Sequence, residues 1–138
     1  MRVLFDVNIL VDALVDREPF NAPAQQLILC IERQHLEGFL TADSLTNLYY
    51  GLHRLTHDKS TTRRLIQNTF KLFDILDVTA SDCHLALASP CPDFEDALLI
   101  ETAHRHHLDY IVTRNPKDFA PSSVPVITPE NLLQKLHS

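Results

Sequence analysis

The sequence predicts an α/β domain built on a mostly parallel sheet. Short apolar, β-branched segments alternate with longer stretches of helical spacing. Good helix caps and Pro or Gly breakers punctuate the alternation. No repeat, low-complexity tract or linker divides the 138 residues, so positions 1–138 read as a single domain.

Arg2–Phe5 reads as a short buried strand ending at Asp6. Asn8–Val15 has helical spacing, broken at Arg17-Glu18-Pro19. From Ala22 to Glu37 the chain is amphipathic, with Ala24, Leu27, Ile28, Ile31 and Leu36 near one face and Gly38 closing it. Phe39–Thr41 is the second strand. The next helix starts near Asp43 or Ser44, both good caps, with Leu45, Leu48, Tyr49 and Leu52 as its apolar stripe. Helix is expected over Lys59–Phe73, strand over Ile75–Val78, and a helical piece over Cys83–Ala88 that Pro90 and Pro92 end. Asp93–His107 is the clearest helix and Tyr110–Thr113 the clearest strand. Val124–Ile127 is a last strand, and Thr128-Pro129-Glu130 opens a final helix with a cap, a first-turn Pro and an acid near the positive dipole end.

Composition removes several function classes. The only glycines are Gly38 and Gly51, so neither a P-loop nor a glycine-rich dinucleotide loop is present. The longest apolar run is Leu27–Ile31, far short of the roughly twenty residues that span a bilayer. Asp6 and Asp12 interrupt the N-terminal apolar stretch, so it is not read as a signal peptide. Cys30, Cys83 and Cys91 are odd in number and lack ligand spacing, which reads as free thiols and a cytoplasmic setting. Among eight histidines, His53 and His57 have i, i+4 spacing without a third ligand signal, and His104, His106 and His107 cannot share one helix face. They read as structural rather than zinc-binding. No Gly-x-Ser-x-Gly elbow occurs.

The net charge of −6 argues against a general nucleic-acid coat protein. It leaves room for an enzyme whose acids hold a cation that meets phosphate. Between His53 and Lys71, Arg54, Lys59, Arg63, Arg64 and Lys71 face only Asp58. That excess is either a surface for a polyanion or a solvated helix face.

In parallel sheets, chemistry gathers outside the carboxyl ends of the strands. Asp6 and the run Thr113-Arg114-Asn115 sit at such ends. Asp6 reads as a helix cap or a ligand-binding carboxylate. Asn8 is placed to orient it or a ligand, and Asp12 reads as a surface or ion-pair residue. Asp93 is explained by capping. Asp96 is followed at helical spacing by Leu99, Ile100 and Ala103, which puts it on the core-facing stripe. A carboxylate there needs a partner, a hydrogen bond or a metal. Asp118 lies in a turn just past a strand, and Arg114 and Lys117 either contact phosphate or pair with acids.

These residues resemble a PIN domain. Val3-Leu4-Phe5-Asp6-Val7-Asn8-Ile9-Leu10 resembles the first strand with its Asp-x-Asn-x-Leu signature. Ser44-Leu45-Thr46-Asn47-Leu48-Tyr49-Tyr50 resembles the second motif and Asp93-Phe94-Glu95-Asp96-Ala97-Leu98-Leu99-Ile100 the third. The fourth is Tyr110-Ile111-Val112-Thr113-Arg114-Asn115-Pro116-Lys117-Asp118-Phe119. The motifs keep the family's order across nearly the whole chain. The resemblance implies a three-layer α/β/α sandwich and a metal-dependent ribonuclease, often the toxin of a toxin–antitoxin pair, acting with Mg²⁺ or Mn²⁺. It implies Asp6, Asp96 and Asp118 as catalytic acids. With Asp93 they form the expected metal set. Asn8, Asn47, Arg54, Thr113, Arg114 and Asn115 are the expected RNA-binding residues. An antitoxin and a second copy in a homodimer are the implied partners. Two positions depart from the family: Asn47 stands where the second acid is usually Glu, and Asn115 where the fourth acid usually opens the turn. Asn at the second position also occurs in some subfamilies.

Two other readings stay open. One is a degenerate module of the same fold that binds RNA or a protein without cleaving. The other is a haloacid-dehalogenase-like phosphatase, which needs a second Asp two residues after the first, where this chain has Asn8.

Overall fold

The computed structural model describes residues 1–138. The strands are β1 (Arg2–Phe5), β2 (Glu37–Thr41), β3 (Phe73–Leu76), β4 (Tyr110–Val112) and β5 (Val126–Ile127). All neighbours pair in parallel, in the order β3-β2-β1-β4-β5. The chain winds outward from β1 to β3, then returns to β4 on the other side of β1. The strand order therefore reverses between β1 and β4, where open α/β sheets leave a crevice.

The helices are α1 (Val7–Leu14), α2 (Asn21–Glu32), α3 (Ser44–Thr56), α4 (Lys59–Leu72), α5 (Ala80–Ala88), α6 (Phe94–Arg105) and α7 (Pro129–His137). A 3-10 turn covers Pro116–Phe119. Side chains alternate across β1, so its two faces feed two cores. Val3 and Phe5 pack with Leu10, Leu27, Leu48 and Leu132 from α1, α2, α3 and α7. Leu4 packs with Ala86, Ala97, Ile100 and Phe119, beneath α5, α6 and the 3-10 turn. The result is a three-layer α/β/α sandwich, as the resemblance implies.

Several boundaries differ from the sequence expectation by a few residues, and three of the shifts have a clear physical cause. Helix α2 stops at Glu32, five residues before Glu37, and Gln34 takes the left-handed turn with φ 62°. Strand pairing claims the rest, because Glu37 and Gly38 lie in register with Arg2 and Val3. Gly38 is thus a strand residue rather than a helix stop. A Cβ there would sit 2.6 Å from Ile31 Cδ1 and 2.8 Å from Phe73 Cε2, so its role is close packing. Strand β3 begins at Phe73, two residues before Ile75, because Phe73 pairs with Gly38 and packs edge-on against Phe5, ring centres 5.1 Å apart. Helix α5 begins at Ala80 rather than Cys83. A capping box starts it: Asp82 N donates to Thr79 Oγ1 at 3.1 Å and Thr79 N to Asp82 Oδ2 at 3.0 Å.

Candidate active site

A cleft of about 660 Å³ opens beside the carboxyl end of β1, between α1, α3 and the start of α6. Asp6 enters it because β1 ends there and α1 begins at once. Its Oδ1 accepts from Asn8 N at 3.2 Å, so Asp6 caps α1. Its Oδ2 accepts from Thr113 Oγ1 at 2.9 Å. Asp6 N also donates to Val112 O at 3.1 Å, which ties the end of β1 to the end of β4. The carboxylate is both a cap and a cleft wall.

Asp96 arrives from the first turn of α6, with Asp93 as that helix's cap. Asp93 Oδ1 accepts from Asp96 N at 3.0 Å. Asp96 is half-buried and lines the cleft with Asp6. Burial, then the charges of Asp93, Asp6, Asp118 and Glu95, push its carboxyl up to about 6. Four acids from three segments thus crowd one carboxyl. Asp118 is exposed in the 3-10 turn, close enough to act on Asp96 by charge but not part of the cleft wall.

Asn47 reaches the cleft from α3, where its Nδ2 donates to Glu95 Oε1 at 3.4 Å. It does not cap its own helix, since Asp43 precedes α3 without a side-chain bond and Ser44 Oγ donates to Thr41 O at 2.8 Å. Asn8 and Arg54 also line the cleft. Thr113, Arg114, Asn115 and Asp93 do not. Thr113 is buried between Asp6 and Asn115 N, from which it accepts at 3.3 Å. Arg114 stacks over the Phe20 ring at 4.1 Å, and its Nε lies 2.9 Å from Asp12 Oδ2. Asn115 is exposed at the head of the 3-10 turn.

Three charged cleft residues were not singled out as site residues from the sequence. Glu95 carried a signal, being the neighbour of Asp96 in a first helical turn. Asp43 was read only as a cap. Arg17 was read only as part of a helix break. Asp12 is fully buried rather than on the surface, beneath Arg17 and Arg114. The Arg114 approach is a contact of charges, not an aligned hydrogen bond, so neither Asp12 oxygen has a hydrogen-bond partner. Burial raises the Asp12 carboxyl above its usual range, the two arginines oppose this, and the charge of Asp6 adds to it.

No Cys or His lines the cleft, so its donors are oxygens, the chemistry of a hard divalent cation. No three His, Cys, Asp or Glu side chains are grouped closely enough to hold an ion alone. The fit is therefore to an ion that keeps most of its water and takes one or two protein carboxylates, the habit of Mg²⁺.

The sequence profile of the PIN domain matches residues 2–117. No curated protein sequence matches the chain. A toxin–antitoxin complex from Klebsiella pneumoniae has a chain 27% identical, with a TM-score of 0.67 over 92% of this chain and 97% of that one. FitAB bound to the IR36 DNA fragment gives a TM-score of 0.70 at 19% identity, covering 92% and 94%. VapBC2 from Rickettsia felis, bound to a DNA fragment from its promoter, gives 0.66 at 16% identity, covering 93% and 98%. With four motifs in order, the sheet reversal beside β1 and a profile match across most of its length, the chain belongs to the PIN domain family.

Proposed function

We propose that the chain is a divalent-cation-dependent endoribonuclease, the toxin of a toxin–antitoxin pair acting in the cytoplasm. The observation that carries this reading is the meeting of Asp6 and Asp96, from separate elements, in one oxygen-lined cleft at the sheet's reversal. The kinship with chains of toxin–antitoxin complexes supports an antitoxin as partner. A homodimer is the proposed working unit.

Asp6 and Asp96 are the residues to hold Mg²⁺ or Mn²⁺, with Asp118 and Asp93 adding negative charge from just outside the cleft. When bound, such an ion supplies a water of lowered pKa and stabilises charge on a phosphodiester oxygen. Thr113 keeps the Asp6 carboxylate turned to the cleft. Asn47 holds Glu95 and offers a carbonyl oxygen without charge. Arg54 faces the RNA backbone from the end of α3.

Asn at positions 47 and 115 favours the second reading, a catalytically weakened module that binds RNA or a protein. Titration of Mn²⁺ into metal-free protein, followed by calorimetry, tests the site. The expected result is one binding event per chain that Asp96→Asn abolishes. Equal heats from both proteins would remove the cleft from the account, and binding without RNA cleavage would leave the second reading.

A further inference from the structure

The same cleft holds two guanidinium groups, Arg17 and Arg54, among its acids. Neither side chain makes a hydrogen bond within the chain, whereas Arg2 donates to His106 O and Arg105 to Asp82. Arg17 comes from the loop after α1, and that loop is firmly fastened. Arg17 N donates to Asp12 O at 3.0 Å, and Arg17 O accepts from Phe20 N at 3.0 Å. Asp16 turns the chain with φ 56°, a conformation Asp tolerates. Its Oδ1 accepts from Asn21 Nδ2 at 2.6 Å and Gln25 Nε2 at 3.1 Å.

Behind Arg17 lies Asp12, fully buried and without a hydrogen-bond partner. Arg17 Nη1 is 3.7 Å from Asp12 Oδ1, an ion pair too long to use the donors. No other carboxylate comes within ion-pair distance of Arg17, although four acids line the same cleft. Asp12 has a nearer cation in Arg114, whose Nε is 2.9 Å away, so its charge draws the partly exposed Arg17 guanidinium toward it and leaves the fork of N–H groups free. A guanidinium with free donors at the mouth of the cleft matches a phosphate oxygen pair.

We propose that Arg17, drawn toward buried Asp12, is a phosphate-binding residue of this cleft and contacts a backbone phosphate of single-stranded RNA. This rests on the ribonuclease reading and adds to it a residue outside the four motifs. An anion entering beside Asp6, Asp96 and Glu95 meets repulsion, and Arg17 and Arg54 offset it at the same mouth. Because the loop is already folded, little ordering entropy is lost when the phosphate binds.

The test is the affinity of full-length protein for a single-stranded RNA twelve-mer, in Ca²⁺ buffer, across a salt series. Arg17→Ala is expected to weaken the complex about tenfold, the scale of one charge-assisted hydrogen bond. It should also lower the slope of log affinity against log salt by about 0.7, one single-strand phosphate contact. Arg17→Lys should restore the slope but not the full affinity. Arg33→Ala, which removes an exposed arginine off the cleft, should change neither. If Arg17→Ala does not fold, Arg17→Gln against Arg17→Lys gives the same comparison. An unchanged slope in Arg17→Ala, or an equal loss in Arg33→Ala, overturns the inference. Absence of RNA binding by the unaltered protein would instead overturn the ribonuclease reading beneath it.

Discussion

Thr113 Oγ1 donates to Asp6 Oδ2 at 2.9 Å across 107 positions of sequence. This bond joins the ends of β1 and β4 at the point where the strand order reverses. Thr113 is fully buried, and its hydroxyl is bonded to a carboxylate that lines the cleft.

Thr113→Val keeps the shape and β-branching of the side chain but removes the donor. Loss of such an outer partner typically costs 10–100-fold in metal affinity or activity. Mn²⁺ affinity is therefore expected to fall by roughly that factor. Thr113→Ser should hold near the original value. Calorimetry on the two variants measures the difference; equal affinities would assign the hydroxyl to packing alone.

The metal-free protein should lose stability as pH rises from 3.8 to about 6. In that window the folded state keeps a proton on Asp96 that the unfolded chain has released, so raising pH favours unfolding. Asp96→Asn should flatten this part of the curve and melt at a higher temperature at neutral pH. Thermal melts in EDTA across the window check it, and an unchanged slope would show that the carboxyl is not crowded as described.

Asn47→Glu places a carboxylate beside Glu95, now 3.4 Å from the amide nitrogen of Asn47. Without metal the added like charge should lower the melting temperature. With Mn²⁺ the added oxygen charge should tighten binding, so the stabilisation by Mn²⁺ should exceed that of the original protein. A melting shift without a change in Mn²⁺ affinity would place residue 47 outside the metal pocket.

Much of this was legible beforehand. Short continuous apolar runs located β1 and β4, and caps located α6 and α7, because those signals are local. The end of α2 was not, because strand pairing of Glu37 and Gly38 with β1 overrides a helical pattern running through Leu36. Phe73 was hidden for the same reason, since its place in β3 depends on a distant partner, Gly38. In the cleft, Asp6, Asn8, Asn47 and Asp96 could be named from their motifs, and Arg54 from the basic excess that begins beside it. Thr113's bond to Asp6, the burial of Asp12 and the approach of Arg17 to it needed the fold, because each joins segments that only packing brings together.

Asp82 tests the opposite face of the sheet. Its side chain is 2% exposed and receives Arg105 Nη2 at 2.8 Å. Burial pushes its carboxyl up, but hydrogen bonds from Arg105 and Thr79 outweigh this and hold it below the usual range. Its contribution is thus full above pH 3.8 and lost as pH falls through the lower folded value. Asp82→Ala should cost about 2–3 kcal/mol, less than a fully buried pair because solvent screens the partly exposed Arg105. Urea denaturation at neutral pH measures it, and a cost near zero would make the pair ornamental.

The most direct measurement is cleavage of single-stranded RNA by the purified protein with Mn²⁺, compared with Asp6→Asn and Asp96→Asn. Cleavage should require Mn²⁺ and stop in EDTA. It should fall in both variants by more than the roughly 10–100-fold that a change in an outer partner costs. RNA left intact at saturating Mn²⁺, or cut equally well by both variants, would contradict a cation held between Asp6 and Asp96 as the source of the activity.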